Sequence, residues 1–197
     1  ASSEPTAAGS GKSLLRSSCC GCCSFCVLVL LCLLFGLAAW HACMKASQTA
    51  ATAPGTLFRV PDGPAMHVYC EGTDPTLPTV VSLNGIYGSS LDSSWIRRHP
   101  SVVSSGVRFC SVDRPGAGWS QPWPAAVDFG MVAQYTKDAL LAAKAAGKVG
   151  SRLVLLMHSL GGYHGLALAK ALEGSTELQV VGAVGADAMS PTWASWQ

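Results

Sequence analysis

Met157-His158-Ser159-Leu160-Gly161-Gly162 is the stretch on which the reading of this chain turns. An apolar strand-like run, residues 152–157, leads directly into it, and a helical pattern over residues 159–173 follows. A serine at such a junction stands on a sharp bend with its hydroxyl lifted above the sheet edge, the placement of a nucleophile elbow. Two small residues just after the serine let helix and strand approach closely. The Ser159 elbow is therefore the candidate reactive centre.

Working outward, residues 57–60 and 66–70 read as short strands around Pro61-Asp62-Gly63, hence a hairpin. Residues 79–83, Thr-Val-Val-Ser-Leu, form a buried strand. A helix is expected over 91–98 and a strand over 107–112. Residues 128–146 are helical, with Val132, Tyr135, Ala139 and Ala143 on one stripe and Gly147 as the stop. A last strand spans 178–186. A hairpin followed by alternating strands and helices implies an α/β fold with a mostly parallel sheet. Such a sheet receives ligands at the carboxyl ends of its strands. The loops Asn84-Gly85-Ile86-Tyr87-Gly88 and Asp113-Arg114-Pro115-Gly116-Ala117-Gly118-Trp119 should gather there with Ser159.

A serine hydroxyl is a weak nucleophile at neutral pH and needs a base, itself oriented by a carboxylate. The attacked carbonyl becomes an oxyanion that preorganised N–H groups stabilise. Leu160 N–H, at the positive end of a helix, is one candidate donor. Ile86 N–H, after a glycine that lets the backbone turn inward, is the other. None of the five histidines is a convincing base. His158 diverges from its neighbour on a tight turn, and His164 lies within a helix. His67 is on a strand, His99 precedes Pro100 in a loop, and His41 flanks the apolar run. Asp113-Arg114 reads as a structural turn, and Gly116-Ala117-Gly118 is no dinucleotide fingerprint.

The chain has 197 residues, 49% hydrophobic and 12% charged, with a net charge of +2, so a nucleic-acid partner is not expected. Residues 1–18 read as a disordered tail, 19–44 as a transmembrane signal anchor, 45–56 as a small-residue linker and 57–197 as the globular part. Residues 21–40 carry no charge and have about the length that a ~30 Å hydrocarbon core requires. Lys12 and Arg16 before the run favour a cytosolic N-terminus and a lumenal or extracellular domain. A cleaved signal peptide is the alternative, but no well-placed small-x-small site follows Leu37. Seven of the nine cysteines lie between Cys19 and Cys43, without zinc spacing. Cys19, Cys20, Cys22 and Cys23 are either palmitoylation candidates at the interface or small apolar residues of a membrane helix. Gly9-Ser10-Gly11-Lys12-Ser13 lacks the first glycine and the preceding strand of a phosphate-binding loop. No metal or cofactor is expected.

From Leu57 to Pro191 the sequence resembles the α/β-hydrolase superfamily, in its serine hydrolase or esterase-like branch. The resemblance rests on Gly85-Ile86-Tyr87-Gly88-Ser89-Ser90 with Trp95, on Asp113-Arg114-Pro115-Gly116-Ala117-Gly118-Trp119-Ser120, and on the Ser159 elbow. Asp187-Ala188-Met189-Ser190-Pro191 is similar to the segment after the family's sixth strand. The resemblance implies an eight-stranded sheet, of which about six strands are present. It implies Ser159 as nucleophile, with backbone donors at Leu160 and near Ile86. It also implies a carboxylate after the seventh strand and a histidine after the eighth, expected beyond Gln197. Asp187 is either an acid placed after the sixth strand or a strand-end turn. Met157 stands where the family has glycine, a departure at the most crowded point of the bend. The family's sheet order makes the strands of Cys70 and Cys110 neighbours, so these either pair or remain free buried thiols.

These features lead to a membrane-anchored serine hydrolase acting on small-molecule ester, lipid or other acyl substrates, with this 197-residue portion expected to turn over little or nothing. The alternative is a non-catalytic, membrane-tethered binding protein on the same scaffold. The oligomeric state is not legible.

Overall fold

The computed structural model describes the backbone of residues 16–50, 53–123 and 126–190. The expected disordered tail up to residue 15, the phosphate-loop look-alike at 9–13 and Pro191 lie outside the described residues, as do the side chains of Cys19, Cys20, Cys22 and Cys23.

The chain divides into two units, Ala1–Ala51 and Thr52–Gln197. The first is the helix α1, Arg16–Ala50. It starts within the stretch expected to be a tail and runs on into the expected linker. Ala46, Ser47, Gln48, Thr49 and Ala50 contain no glycine or proline to stop it. Within it, Ser24–Met44 has a mean hydropathy of 2.4 and is long and apolar enough to cross a membrane.

The second unit is a six-stranded sheet: β1 Thr56–Phe58, β2 Met66–Glu71, β3 Thr79–Leu83, β4 Phe109–Val112, β5 Arg152–Ser159 and β6 Gln179–Ala188, in the order β1-β2-β4-β3-β5-β6. β1 pairs antiparallel with β2, and β2 with β4; the remaining pairs are parallel. The hairpin and the parallel crossovers are thus both present.

Side chains alternate across the pleat. Met66, Val68, Val81, Leu83, Cys110, Val112, Leu153 and Leu155 face one way into a buried core. The helices α4, Phe129–Ala145, and α5, Gly161–Ala171, cover that face with Ala139, Leu140, Ala143 and Leu168. Asp128 caps α4 by accepting from Met131 N at 2.8 Å.

The expected helix over 91–98 is shorter, α2 Ser94–Arg97, and a further short helix that was not expected follows it, α3 Pro100–Ser105. Pro100 has no N–H to continue a helix and disfavours helical backbone in the residue before it. His99 accordingly adopts ψ 134° and becomes the cap of α3. β4 begins two residues later than the expected start because Val107 forms an isolated bridge with Asp74. α5 starts two residues after the serine because Ser159 has φ 49°, which no helix accommodates.

Cys70 and Cys110 sit directly opposite each other on β2 and β4 and form a disulfide. The open alternative between pairing and free thiols is resolved in favour of pairing, because the two residues share the core-facing side of one antiparallel register. The bond closes a 40-residue separation. Replacing both cysteines with alanine is expected to cost about 2–4 kcal/mol in urea unfolding of the whole chain in detergent. Peptide mapping without reductant should recover the Cys70–Cys110 cross-link.

Candidate active site

β5 delivers Ser159 at the carboxyl end of the sheet, between β3 and β6. Its φ of 49° places a non-glycine residue in the left-handed region, an arrangement that persists only where surrounding structure enforces it. Three glycines do so. A Cβ on Gly161 would meet the Leu83 carbonyl oxygen at 1.9 Å, and one on Gly162 the Met189 carbonyl oxygen at 1.9 Å. A Cβ on Gly85 would lie 3.2 Å from Ser159 Cβ and 3.6 Å from its Oγ. The backbone after β3 therefore lies directly against the serine. Met189 N donates to the Ser159 carbonyl at 2.8 Å and ties the end of β6 to the bend.

Met157 is accommodated by α5. A Cβ on Gly165 would lie 2.2 Å from Met157 Sδ, so the methionine uses space that a side chain at Gly165 would occupy. The bulk absent from one position is present at the other.

The loop after β3 is held by Arg114. Its Nη1 donates to the Asn84 carbonyl at 2.8 Å, and its Nη2 to the carbonyls of Gly85 at 2.6 Å and Ile86 at 2.5 Å. In a trans peptide, the carbonyl of one residue and the N–H of the next point to opposite sides. Fixing the Gly85 carbonyl on Arg114 thus turns the Ile86 N–H away from that guanidinium. Asn84 braces the same loop, donating to the Ser89 carbonyl at 2.6 Å and accepting from Ser93 Oγ at 2.7 Å. Leu160 has helical dihedrals at the start of α5, where the first N–H groups have no partner within the helix.

Asp113, before the clamp, is a buried hub. Its carboxylate accepts from Ser90 N, from Trp119 N at 3.0 Å and from His67 Nδ1 at 2.8 Å. A Cβ on Gly118 would lie 2.2 Å from Asp113 Oδ2, and Gly118 has φ 52°, so no other residue suits that position. Ser90, His67 and Asp113 lie within hydrogen-bond reach of one another, yet they are 0%, 0% and 1% exposed. His67 Nε2 is occupied by the Pro54 carbonyl at 2.6 Å. No substrate reaches this trio; it pins β2, β4 and the loop after β3 together. Its members come from widely separated positions, so spacing offered no signal for it, and the Arg114 clamp likewise exceeds the structural turn expected there.

Among the described residues, no histidine hydrogen-bonds Ser159 Oγ. His158 is exposed, with Nδ1 3.4 Å from the Gly85 Cβ position. His164 is buried against Phe129, and burial together with the Arg114 charge pushes its imidazole down to about 4. Asp187 lies exposed at the end of β6 with φ 50°. It falls where the pairing shifts between His158↔Ala186 and Ser159↔Ala188, so it is the extra residue of a bulge beside the serine.

A sequence profile of the alpha/beta hydrolase family matches residues 80–197, more than half of the chain. The chain belongs to that family. Solved structures with the same fold include an esterase from Exiguobacterium antarcticum, with 24% identity and a TM-score of 0.57 over 70% of this chain and 47% of that one. A putative aryl esterase from Burkholderia cenocepacia shares 24% identity with a TM-score of 0.53, over 68% of this chain and 46% of the other. An epoxide hydrolase from Vigna radiata shares 19% identity with a TM-score of 0.51, over 66% and 38%. The chain thus spans about half the length of the esterase structures it resembles. No curated protein sequence matches it.

Two measurements test this geometry. Gly165→Ala should destabilise the folded domain by about 1–3 kcal/mol through overpacking against Met157. Adding Met157→Ala should cost less than the sum of the single changes by at least about 0.5 kcal/mol in a double-mutant cycle. For His164, the folded-state value lies below the unfolded one of 6.5, so protonation favours unfolding. Its contribution is intact above pH 6.5 and is lost as pH falls toward 4. Urea titrations at stepped pH should show His164→Gln losing less stability over that window than the parent chain, by roughly 3 kcal/mol.

Proposed function

We propose that Ser159 is the nucleophile of a membrane-anchored serine hydrolase that cleaves small-molecule ester, lipid or related acyl substrates. The observation that carries this proposal is the left-handed Ser159 between β5 and α5, with the backbone of Gly85 against it. Serine, rather than aspartate, at the bend favours acyl transfer over epoxide opening.

In this mechanism Ser159 Oγ attacks the acyl carbonyl carbon and gives its proton to a histidine base. The carbonyl oxygen becomes an oxyanion held by the N–H groups of Ile86 and Leu160. The intermediate collapses, the C–O bond of the leaving alcohol breaks, and the protonated base returns the proton to that alcohol. Water activated by the same base then attacks the acyl-enzyme and releases the acid. The mechanism requires a histidine base and a carboxylate to orient it; Asp187, beside the elbow, is the candidate acid among the described residues. Arg114 serves as a positioning residue for the Ile86 donor. The mechanism calls for no cofactor or metal.

Two observations support the location. Ser24–Met44 is suited to a single-pass anchor with Lys12 and Arg16 on its cytosolic side. The Cys70–Cys110 disulfide suits an oxidising compartment and so supports a lumenal or extracellular domain. The alternative, a tethered binding protein, is favoured by the lack of a histidine on Ser159 among the described residues.

Treatment of the full-length membrane protein with a fluorophosphonate separates the two. The enzyme reading predicts a phosphonyl adduct on Ser159, lost in Ser159→Ala together with hydrolysis of a p-nitrophenyl ester. A folded protein that resists labelling, and whose function survives Ser159→Ala, is the binding protein instead.

A further inference from the structure

His67 and Tyr69 are two residues apart on β2, so they project from the same face of the sheet. His67 Nε2 lies 2.6 Å from the Pro54 carbonyl, which pins the segment leading into β1 over that face. The Arg97 guanidinium stacks 4.2 Å over the Tyr69 ring, so α2 crosses the same face beside it. Ser90 Oγ, 3.3 Å from His67 Nδ1, brings the loop after β3 to the same place. Leu57 pairs directly with His67 and projects with it. The point where the chain enters the sheet, the loop after β3 and α2 are therefore neighbours on one side.

That side is rich in uncovered apolar groups. Tyr87 is 95% exposed and Trp95 is 73% exposed, and Leu57 and Leu91 are exposed with them. Leu91, Trp95 and Arg98 recur at helical spacing around α2, and all three face solvent. Single exposed apolar residues are ordinary, but several gathered on one side mark an interaction surface. The residue types narrow the partner. Tyrosine and tryptophan join an apolar body to a polar tip, and arginine keeps its charge in water while its stem lies on hydrocarbon. Such side chains suit the boundary between a bilayer and water. Asp92 is exposed as well and offsets the Arg98 charge, so the surface is not built to attract anionic headgroups.

The chain itself keeps a bilayer close to this side. Met44 ends the apolar span and Pro54 lies ten residues later, a separation of at most about 36 Å even when fully extended. A membrane crossed by Ser24–Met44 is then present at an effective concentration that a diffusing protein partner does not reach. We propose that the outer side of α2 and the loop before it, with Leu57, Tyr87, Leu91 and Trp95, docks into the interfacial layer of that membrane. This rests on the membrane-anchored reading of Ser24–Met44 and stands whether or not Ser159 reacts.

The test places the whole chain, labelled with fluorotryptophan, in phosphatidylcholine nanodiscs. Fluorine NMR resolves the tryptophans, and Trp95→Phe and Trp40→Phe assign two of them; Trp40 lies within the span and reports its insertion. With a lipid carrying a nitroxide near its headgroup, both the Trp95 and the Trp40 resonances are expected to be lost. With a water-soluble gadolinium chelate, the Trp95 resonance should persist. Tyr87→Ser combined with Leu91→Ser alters only exposed side chains, and should reverse both results for Trp95 without shifting the melting profile. A Trp95 resonance that survives the nitroxide lipid while that of Trp40 is lost overturns the docking and leaves the anchor standing. Survival of both overturns the anchor and the docking together. Protection of Trp95 from both agents shows that protein, not lipid, covers this side, and overturns the proposal. Loss of the Trp95 resonance that the double variant does not reverse means proximity without contact, and overturns it equally.

Discussion

The close approach of α5 to the end of β3 is the constraint from which the rest of the site follows. Gly161 packs where any Cβ would collide with the Leu83 carbonyl. That contact fixes how sharply the chain must turn after β5, and the turn puts Ser159 at a positive φ. A left-handed non-glycine residue costs on the order of 1–3 kcal/mol, so packing elsewhere has to hold it in place. The core beneath β3 and β5, closed by Leu83, Leu155 and Leu168, supplies that packing.

A second, polar layer holds the loops that follow β3 and β4. Asp113 gathers donors from β2, from the loop after β3 and from its own loop, and Arg114 next to it grips three successive carbonyls. Removing one partner from such a buried charged network leaves an uncompensated group and costs several kcal/mol, far more than a surface ion pair. The loop after β3, which carries Ile86, is therefore held stiffly. The same stiffness explains the buried Ser90, His67 and Asp113 trio: these are reactive residue types whose geometry serves support, and their inaccessibility distinguishes them from Ser159.

The elements legible in the sequence are those whose cause is local. β3 carries a β-branched run bounded by Pro78 and Asn84-Gly85, and its observed bounds coincide with the expected ones. α4 shows a clear apolar stripe with a capping aspartate and a glycine stop. The helix α3 escapes the expected pattern because Pro100, taken for a loop residue, starts it: a proline's fixed φ suits the first helical position. The Cys70–Cys110 pair stayed open because it depends on strand register, which no spacing reveals. Met157 read as a departure because its compensating residue, Gly165, lies about one turn into the following helix. The elbow itself was legible because a strand, a serine and, one residue later, two glycines occur within a short stretch. Arg114, Ser90 and His67 were not, since their roles arise only when distant strand ends meet.

The account depends on a nucleophilic oxygen facing two convergent amides. A crystal structure of the full-length protein after reaction with diethyl p-nitrophenyl phosphate tests this directly. The account predicts phosphorus bonded to Ser159 Oγ and a phosphoryl oxygen about 2.7–3.1 Å from both the Ile86 and Leu160 nitrogens, with Ser159 still left-handed. An unmodified serine, or an adduct whose phosphoryl oxygen points away from those amides, would contradict it.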